Sequence, residues 1–370
     1  MAGTTLRFGV AGAGLLGRLL AWQLGHAGHR VTVFDPADGP EPRFDGQGAA
    51  GFSAAGMLSP TAELDGADDR IARLGWRSIP LWQSIADRLE SPALVSRRGS
   101  VLLAHRSDLA AAERALGRMS AGNHTAPPLS LGAAALGEIE PSLQGAANAW
   151  LVPGEAQVDP PAMLQMLHAR AAPSVEWRWN TPVVQVAAGS LTTHGGETLR
   201  FDRVFDVRGL GARGAGEGQA LAKLPDLPHL RGVRGETVWL HAPAHGLCRP
   251  VRLLHPRHSV YLVPRGENRV FVGASEIESE DRSPVSLRSA VELMAAAHSV
   301  MPALAEARIE RLDRNLRPAL PDNQPVVEIH DGLVRINGLF RHGWLLAPAL
   351  VEDALAACEI TTHPNRAAHA

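Results

Sequence analysis

The segment LRFGVAGAGLLGRLLAWQLGHAGHRVTVFD, residues 6–35, decides the fold. Residues 6–11 are a short apolar run suited to a buried strand, and 30–35 are a second, valine-rich run ending in an acid. Between them Leu15, Leu16, Leu19, Leu20 and Leu24 recur at three- and four-residue spacing, one face of a helix that Gly25 and Gly28 close. Gly12-Ala13-Gly14-Leu15-Leu16-Gly17 falls where the first strand passes into that helix, and Asp35 ends the second strand 23 residues after Gly12. Gly12 permits the tight turn, Gly14 lets backbone approach a pyrophosphate, and Gly17 allows helix to pack on strand. The helix N-terminus supplies free N–H groups and positive potential, and Asp35 is placed to accept hydrogen bonds from ribose hydroxyls. A lone G-x-G-x-x-G is weak, but strand, helix, strand and acid in register predict a dinucleotide site.

Outward from this unit, a Gly/Ala-rich loop at 46–58 precedes helical stretches around 66–90, a strand at 99–104 and an Ala-rich helix at 108–121. Connections at 122–132 and 152–161 bracket a weakly patterned region. A helix is expected at 161–172, strands at 175–187 and 203–208, and a linker at 209–230. The pattern then changes to consecutive short strands at 233–241, 249–254, 259–264 and 269–274, which predicts antiparallel sheet, followed by a helix at 285–299. The C-terminal part returns to α/β with a strand at 333–338 and a helix at 344–358. These segments predict an α/β protein: a discontinuous Rossmann-type domain (1–88, 145–225 and 316–362) and an inserted, largely antiparallel substrate domain with helices (89–144 and 226–315). Residues 363–370 are expected to be a flexible tail.

The 370 residues are 45% hydrophobic and 20% charged, which excludes fibrous and disordered classes. With 36 basic against 38 acidic residues, no charge excess is available for a nucleic-acid backbone or an anionic membrane. Cys248 and Cys358 lie far apart and in no metal-like or disulfide pattern, consistent with a reducing compartment. Neither a leader pattern before residue 6 nor an uncharged apolar stretch of 18 residues is read, so the expectation is a cytoplasmic protein without a membrane span. The scattered histidines, among them His255, His258 and His342, show no metal spacing. The sequence does not decide whether the chain self-associates into a homo-oligomer.

Four patches carry a resemblance: the N-terminal fingerprint, AAGFSAAGMLSP (49–60), VYLVPRGENRVFVGASE (260–276), and the pair LRPALPDNQPVV (316–327) and NGLFRHGWLLAP (337–348). On these the chain resembles the thiamine-pathway glycine oxidases, within the D-amino-acid and sarcosine oxidase family of flavoproteins. The resemblance implies dissociable FAD, a small amino-acid substrate (glycine, sarcosine or a small D-amino acid) and oxygen as acceptor, giving an oxo acid, ammonia and hydrogen peroxide. It implies cofactor contacts from Ala55, Gly56, Met57 and Val183 besides the fingerprint. It adds Gly338, Phe340, Arg341, His342, Gly343, Trp344 and Leu345, where a second helix N-terminus favours the negative charge of a reduced flavin ring.

Arg317, on a stiff segment before Pro318, carries a geometry suited to a carboxylate, and the resemblance assigns it and Tyr261, the only tyrosine, to the substrate carboxylate. The chemistry is then the flavin's own, with no side-chain base required. Glu276 stands where relatives often carry an apolar residue. A carboxylate there binds a cationic amine or substrate side chain, or points to solvent. Asp206 and Arg208 replace a small A-x-G pattern and pair either with each other or with a cofactor phosphate. Ser53 falls one or two positions late for the phosphate contact of relatives. The sole lysine, Lys223, lies in the linker, away from the position at which sarcosine oxidases use a lysine toward oxygen, so a dehydrogenase passing electrons to a quinone or protein acceptor is the alternative. A non-catalytic flavin-binding protein and a nicotinamide-dependent dehydrogenase complete the rival readings.

Overall fold

The computed structural model describes residues 5–121, 127–144, 147–213, 229–255 and 259–360. The tail at 363–370, His258 and most of the 209–230 linker, Lys223 included, lie outside the described residues.

The opening segment folds as strand Arg7–Ala11, helix Leu15–His26 and strand Arg30–Phe34. The two strands pair in parallel, Arg7 opposite Arg30 and Ala11 opposite Phe34. They sit inside a six-stranded sheet ordered Val326–His330, Leu333–Asn337, Arg203–Asp206, Arg7–Ala11, Arg30–Phe34, Val175–Arg178. All its pairings are parallel except the one made by the Val326–His330 edge. One face packs against helices Leu15–His26, Asp69–Arg88, Pro160–Ala171 and Gly343–Ala357, with Leu19, Leu20, Trp82, Leu164 and Leu346 almost wholly excluded from solvent. A three-stranded antiparallel sheet, Val183–Ala187, Ser190–Thr193 and Thr198–Arg200, covers Ala11, Phe34 and Val204 on the other. Burial on both faces is what an all-parallel interior requires, and it explains the unbroken apolar runs in the sequence.

The second layer is an eight-stranded sheet running from the edge strand Arg308–Ala319 through Arg231–His241, Arg269–Gly273, Ser259–Arg265, Val251–Leu254, Ser100–Ala104 and Asn148–Val152 to Leu129–Leu131. It is antiparallel throughout, except where Val251–Leu254 meets Ser100–Ala104. Helix Leu287–Val300 packs Leu293, Ala297 and Val300 on one face, and helix Leu109–Ser120 packs Ala112, Ala115 and Met119 against Leu102 and Leu254.

Several elements differ from the sequence expectations. The strand expected at 175–187 is two strands in different sheets, because Asn180 takes a positive φ of 52° and Pro182 follows at once. The connection at 152–161 holds the strand Ala156–Val158, which joins Met57–Leu58 to Val95–Ser96. The weakly patterned region holds helix Ala133–Ile139 and strand Asn148–Val152. The charge-rich stretch 308–319, which shows no two-residue apolar alternation, is a long strand because it pairs along the whole of Arg231–His241. Strand Arg308–Ala319 crosses the expected boundary at 316, and Asn148–Val152, wholly beyond the one at 145, pairs in the second sheet. We propose that the substrate-covering unit extends to Val152 and to Ala319.

Candidate active site

Between the two layers lies a cavity of 720 Å³, within the range of sites for large organic ligands. The carboxyl edge of the first strand opens onto it. Gly12 takes a φ of 104°, and a Cβ there would press on the Val207 carbonyl oxygen and on Arg208. The helix that follows begins at Gly14 with no side-chain cap and no acid in its first turn, so its N–H groups point to the cavity unopposed. Asp35 holds this turn by accepting from the Ala13 N–H at 2.6 Å and the Ala37 N–H at 2.9 Å, and it still faces the cavity.

Gly12, Ala13, Gly14, Leu15 and Asp35 all line the wall, as do Ala55, Gly56, Met57 and Val183. So do Phe340, Arg341, His342, Gly343, Trp344 and Leu345 of the last strand-to-helix turn. Two expected contacts do not. Gly17 lies behind the wall, where a Cβ would overlap the Gly12 carbonyl oxygen, and Gly338, φ 70°, is needed because a Cβ would run into Leu320. Both are packing glycines. Gly17→Ala is therefore expected to push the helix off the strand end, overpacking by about 1–3 kcal/mol or more, and to yield protein with little bound flavin by absorbance after purification. Full flavin content in that variant would refute the packing role.

The helix Gly343–Ala357 also starts without a side-chain cap or a first-turn acid. Beside it Glu63, buried, accepts from His342 Nε2 at 3.0 Å, from Arg341 Nη2 at 3.0 Å and from Arg252 Nη2 at 3.2 Å. Burial alone would raise this carboxyl, but His342, Arg341 and Arg252 together hold it well below the usual carboxylate range. Nothing in the local sequence SPTAELDG marks Glu63 as buried. The same holds for Glu155, whose carboxyl is pushed up by burial while it accepts from the Thr61 and Ala62 N–H groups and from Ser100.

Arg317 projects from the edge strand over Gly235, where any Cβ would clash with its guanidinium. Nη2 donates to the Ser275 carbonyl at 3.1 Å, and among the described residues no carboxylate lies within ion-pair distance of Arg317. Desolvation lowers its pKa, opposed by Tyr261 and Glu276, and a guanidinium so placed remains a cation at neutral pH. Tyr261 lies across Gly273, the residue opposite it, and a Cβ at Gly273 would meet the ring and hydroxyl. Arg317 and Tyr261 thus share one stretch of wall.

Glu276 also lines the cavity, but it neither faces solvent alone nor awaits a cation: it accepts from Arg341 Nη1 at 3.2 Å. Arg208 clasps Asp206 through Nε and Nη2, both at 2.8 Å, and donates to the Val183 carbonyl, so these two pair with each other. Ser53 accepts from Asn315 at 3.2 Å. Arg18, which the sequence reading passed over, is fully buried and donates to the carbonyls of Ala13, Leu164 and Pro40 at 2.9, 3.0 and 2.7 Å. Burial brings its pKa down to about 10, against the pull of Asp35 and Glu41. Its signal was available: a charge directly after Gly17 inside an otherwise apolar helix.

The wall fits FAD. It offers two uncapped helix N-termini for anionic groups, a glycine turn for close backbone approach, an acid beside it, and buried polar atoms without partners among the described residues, His342 Nδ1 and Thr237 Oγ1 among them. Neither cysteine reaches it. Such a site, set between a parallel α/β layer and an antiparallel sheet, defines a flavin-dependent oxidoreductase. The chain belongs to the FAD dependent oxidoreductase family, whose profile matches residues 7–354. It is 37% identical over 349 residues to a Rhizobium etli protein assigned to thiamine biosynthesis as the oxidoreductase ThiO, covering 94% of this chain and 95% of that one. The crystal structure of glycine oxidase from Geobacillus kaustophilus superposes with a TM-score of 0.79 at 25% identity over 98% of both chains. That of iminodiacetate oxidase from Chelativorans sp. BNC1 shares the fold, with a TM-score of 0.78 at 23% identity over 96% of each chain. Among the described residues no helix is long and apolar enough to cross a membrane, and no cluster of metal-ligating side chains is found.

Proposed function

We propose that the chain oxidises the Cα–N bond of a small amino acid, glycine, sarcosine or a small D-amino acid, to an imine that water hydrolyses to an oxo acid and the free amine (ammonia, or methylamine from sarcosine), with oxygen taking the two electrons to give hydrogen peroxide. The observation that carries this reading is Arg317, a cavity-facing guanidinium without a carboxylate partner among the described residues, next to the Tyr261 hydroxyl. Bound FAD, held non-covalently, supplies a two-electron acceptor. Arg317 grips the substrate carboxylate by two parallel hydrogen bonds, and Tyr261 donates a third. Fixing the carboxylate at two points fixes the Cα–H relative to the wall, and this positioning is the main work of the protein. The helix N-terminus at Gly343 adds positive potential where negative charge develops. The glycine oxidases and the ThiO protein among the relatives support the substrate class.

The amine must be neutral for its lone pair to assist loss of hydride. The cationic form falls away as pH rises toward the amine's own pKa, so kcat/KM is expected to climb with pH in that range. The test is anaerobic titration of the purified yellow protein with glycine, sarcosine, D-alanine and D-proline while the oxidised-flavin band is followed. Bleaching that reverses on aeration with release of peroxide is the expected result. Bleaching without recovery in air would instead establish a dehydrogenase, and no bleaching by any of the four would overturn the substrate class.

A further inference from the structure

The charge arrangement around Arg317 says more about the substrate than that it carries a carboxylate. The groups acting electrostatically on Tyr261 and Arg317 are Arg252, Arg341, Glu63 and Glu276. Three arginines therefore face two glutamates. Arg252 and Arg341 are both spoken for, at 3.2 and 3.0 Å from Glu63, and Arg341 is held on its other side by Glu276 at 3.2 Å. The Arg341 side chain is one-third exposed and that of Glu276 nearly half, 33% and 47%, so this pair stands at the open part of the wall and not in the packed interior. Of the three, Arg317 is the one with no carboxylate in contact among the described residues, so the guanidiniums outnumber the carboxylates by one. His342, the remaining titratable group packed here, gives its Nε2 to Glu63.

We propose that Glu276 is a specificity-determining residue that restricts the site to substrates with one carboxylate. It does so by occupying Arg341, a partly exposed cavity-lining cation that acts electrostatically on Arg317. This rests on the carboxylate role of Arg317 proposed above. A monocarboxylate brings one negative charge to one free guanidinium. A dicarboxylic amino acid brings a second carboxylate against Glu276, a like charge, and finds Arg341 already engaged from both sides. Negative charge at position 276, more than its shape, is what discriminates. Relief of that charge should convert Arg341 into a second anion site.

The experiment measures dissociation constants of glycolate and malonate, one carboxylate and two, by perturbation of the flavin absorption of the FAD-loaded protein. It needs no turnover. The wild type is expected to bind malonate about 10-fold or more weakly than glycolate, and Glu276→Gln to improve malonate relative to glycolate by about 10-fold. Glu276→Asp, which keeps the charge, should retain the wild-type ratio. A ratio unchanged in Glu276→Gln, or shifted equally in Glu276→Asp, overturns the inference. Arg317→Ala measured alongside separates the two readings: if glycolate affinity is unaffected there, the carboxylate role of Arg317 fails and the inference with it. If glycolate weakens there while Glu276→Gln leaves the ratio untouched, only the inference fails.

Discussion

Arg317→Ala is expected to raise the apparent KM for the amino-acid substrate by about 100-fold or more, the loss of a charge-assisted bidentate pair of about 3 kcal/mol. The structure makes this residue unusual among the 35 arginines implied by 36 basic residues and one lysine. Its guanidinium rests over Gly235, takes a carbonyl from Ser275, and meets no carboxylate among the described residues. Arg317→Lys should recover little, because an ammonium presents a point charge and not a planar fork. Steady-state kinetics with saturating acceptor checks this. The loss should fall mostly on KM, since the interaction is made in the ground state as well as the transition state. An unchanged KM would remove Arg317 from the site.

The second large effect is expected at Glu63. Its carboxylate is shared by His342, Arg341 and Arg252, so Glu63→Ala leaves buried or half-buried cations uncompensated. Breaking such a cluster by removing one partner costs about 3–5 kcal/mol, and the lower end is expected because Arg341 keeps Glu276. Denaturant unfolding of the FAD-loaded protein measures it. The pH dependence has a definite sign. Glu63 is held below the ordinary carboxylate range, so its stabilisation is fully present above that range and is lost as the pH falls through its depressed value. The gap between variant and wild type is therefore constant near neutrality and closes in acid. A gap that widened on acidification, or a variant as stable as wild type at pH 7, would contradict the assignment.

Legibility in the sequence followed the range of the interactions involved. The strand-helix-strand unit was readable because each of its signals is local: apolar spacing within Leu15–Leu24, the glycines at 12 and 14, the acid at 35. The short antiparallel strands between 231 and 273 announced themselves through turns such as Gly266-Glu267-Asn268. The strand Arg308–Ala319 did not, because its outer half is exposed and charged, and its conformation comes from the ladder it makes with Arg231–His241. The same division runs through the site. Asp35 and Gly14 declare their roles by position in a motif. Glu63 meets His342 across 279 residues of chain, and its short helix reads as an ordinary surface turn.

The chain alone predicted a dinucleotide site at the end of the first strand, since the turn, the helix N-terminus and the acid are set by backbone geometry over about 30 residues. It also singled out Arg317 and Tyr261. What only the tertiary structure decided is which charges those two residues face. Glu276 turned toward Arg341, and Glu63 toward two guanidiniums and the His342 imidazole, while Gly17 and Gly338 withdrew behind the wall. The physical reason is that a residue type carries its own charge and shape. The partner that neutralises the charge, and the neighbour that forbids a Cβ, arrive from distant parts of the chain when the two sheets pack.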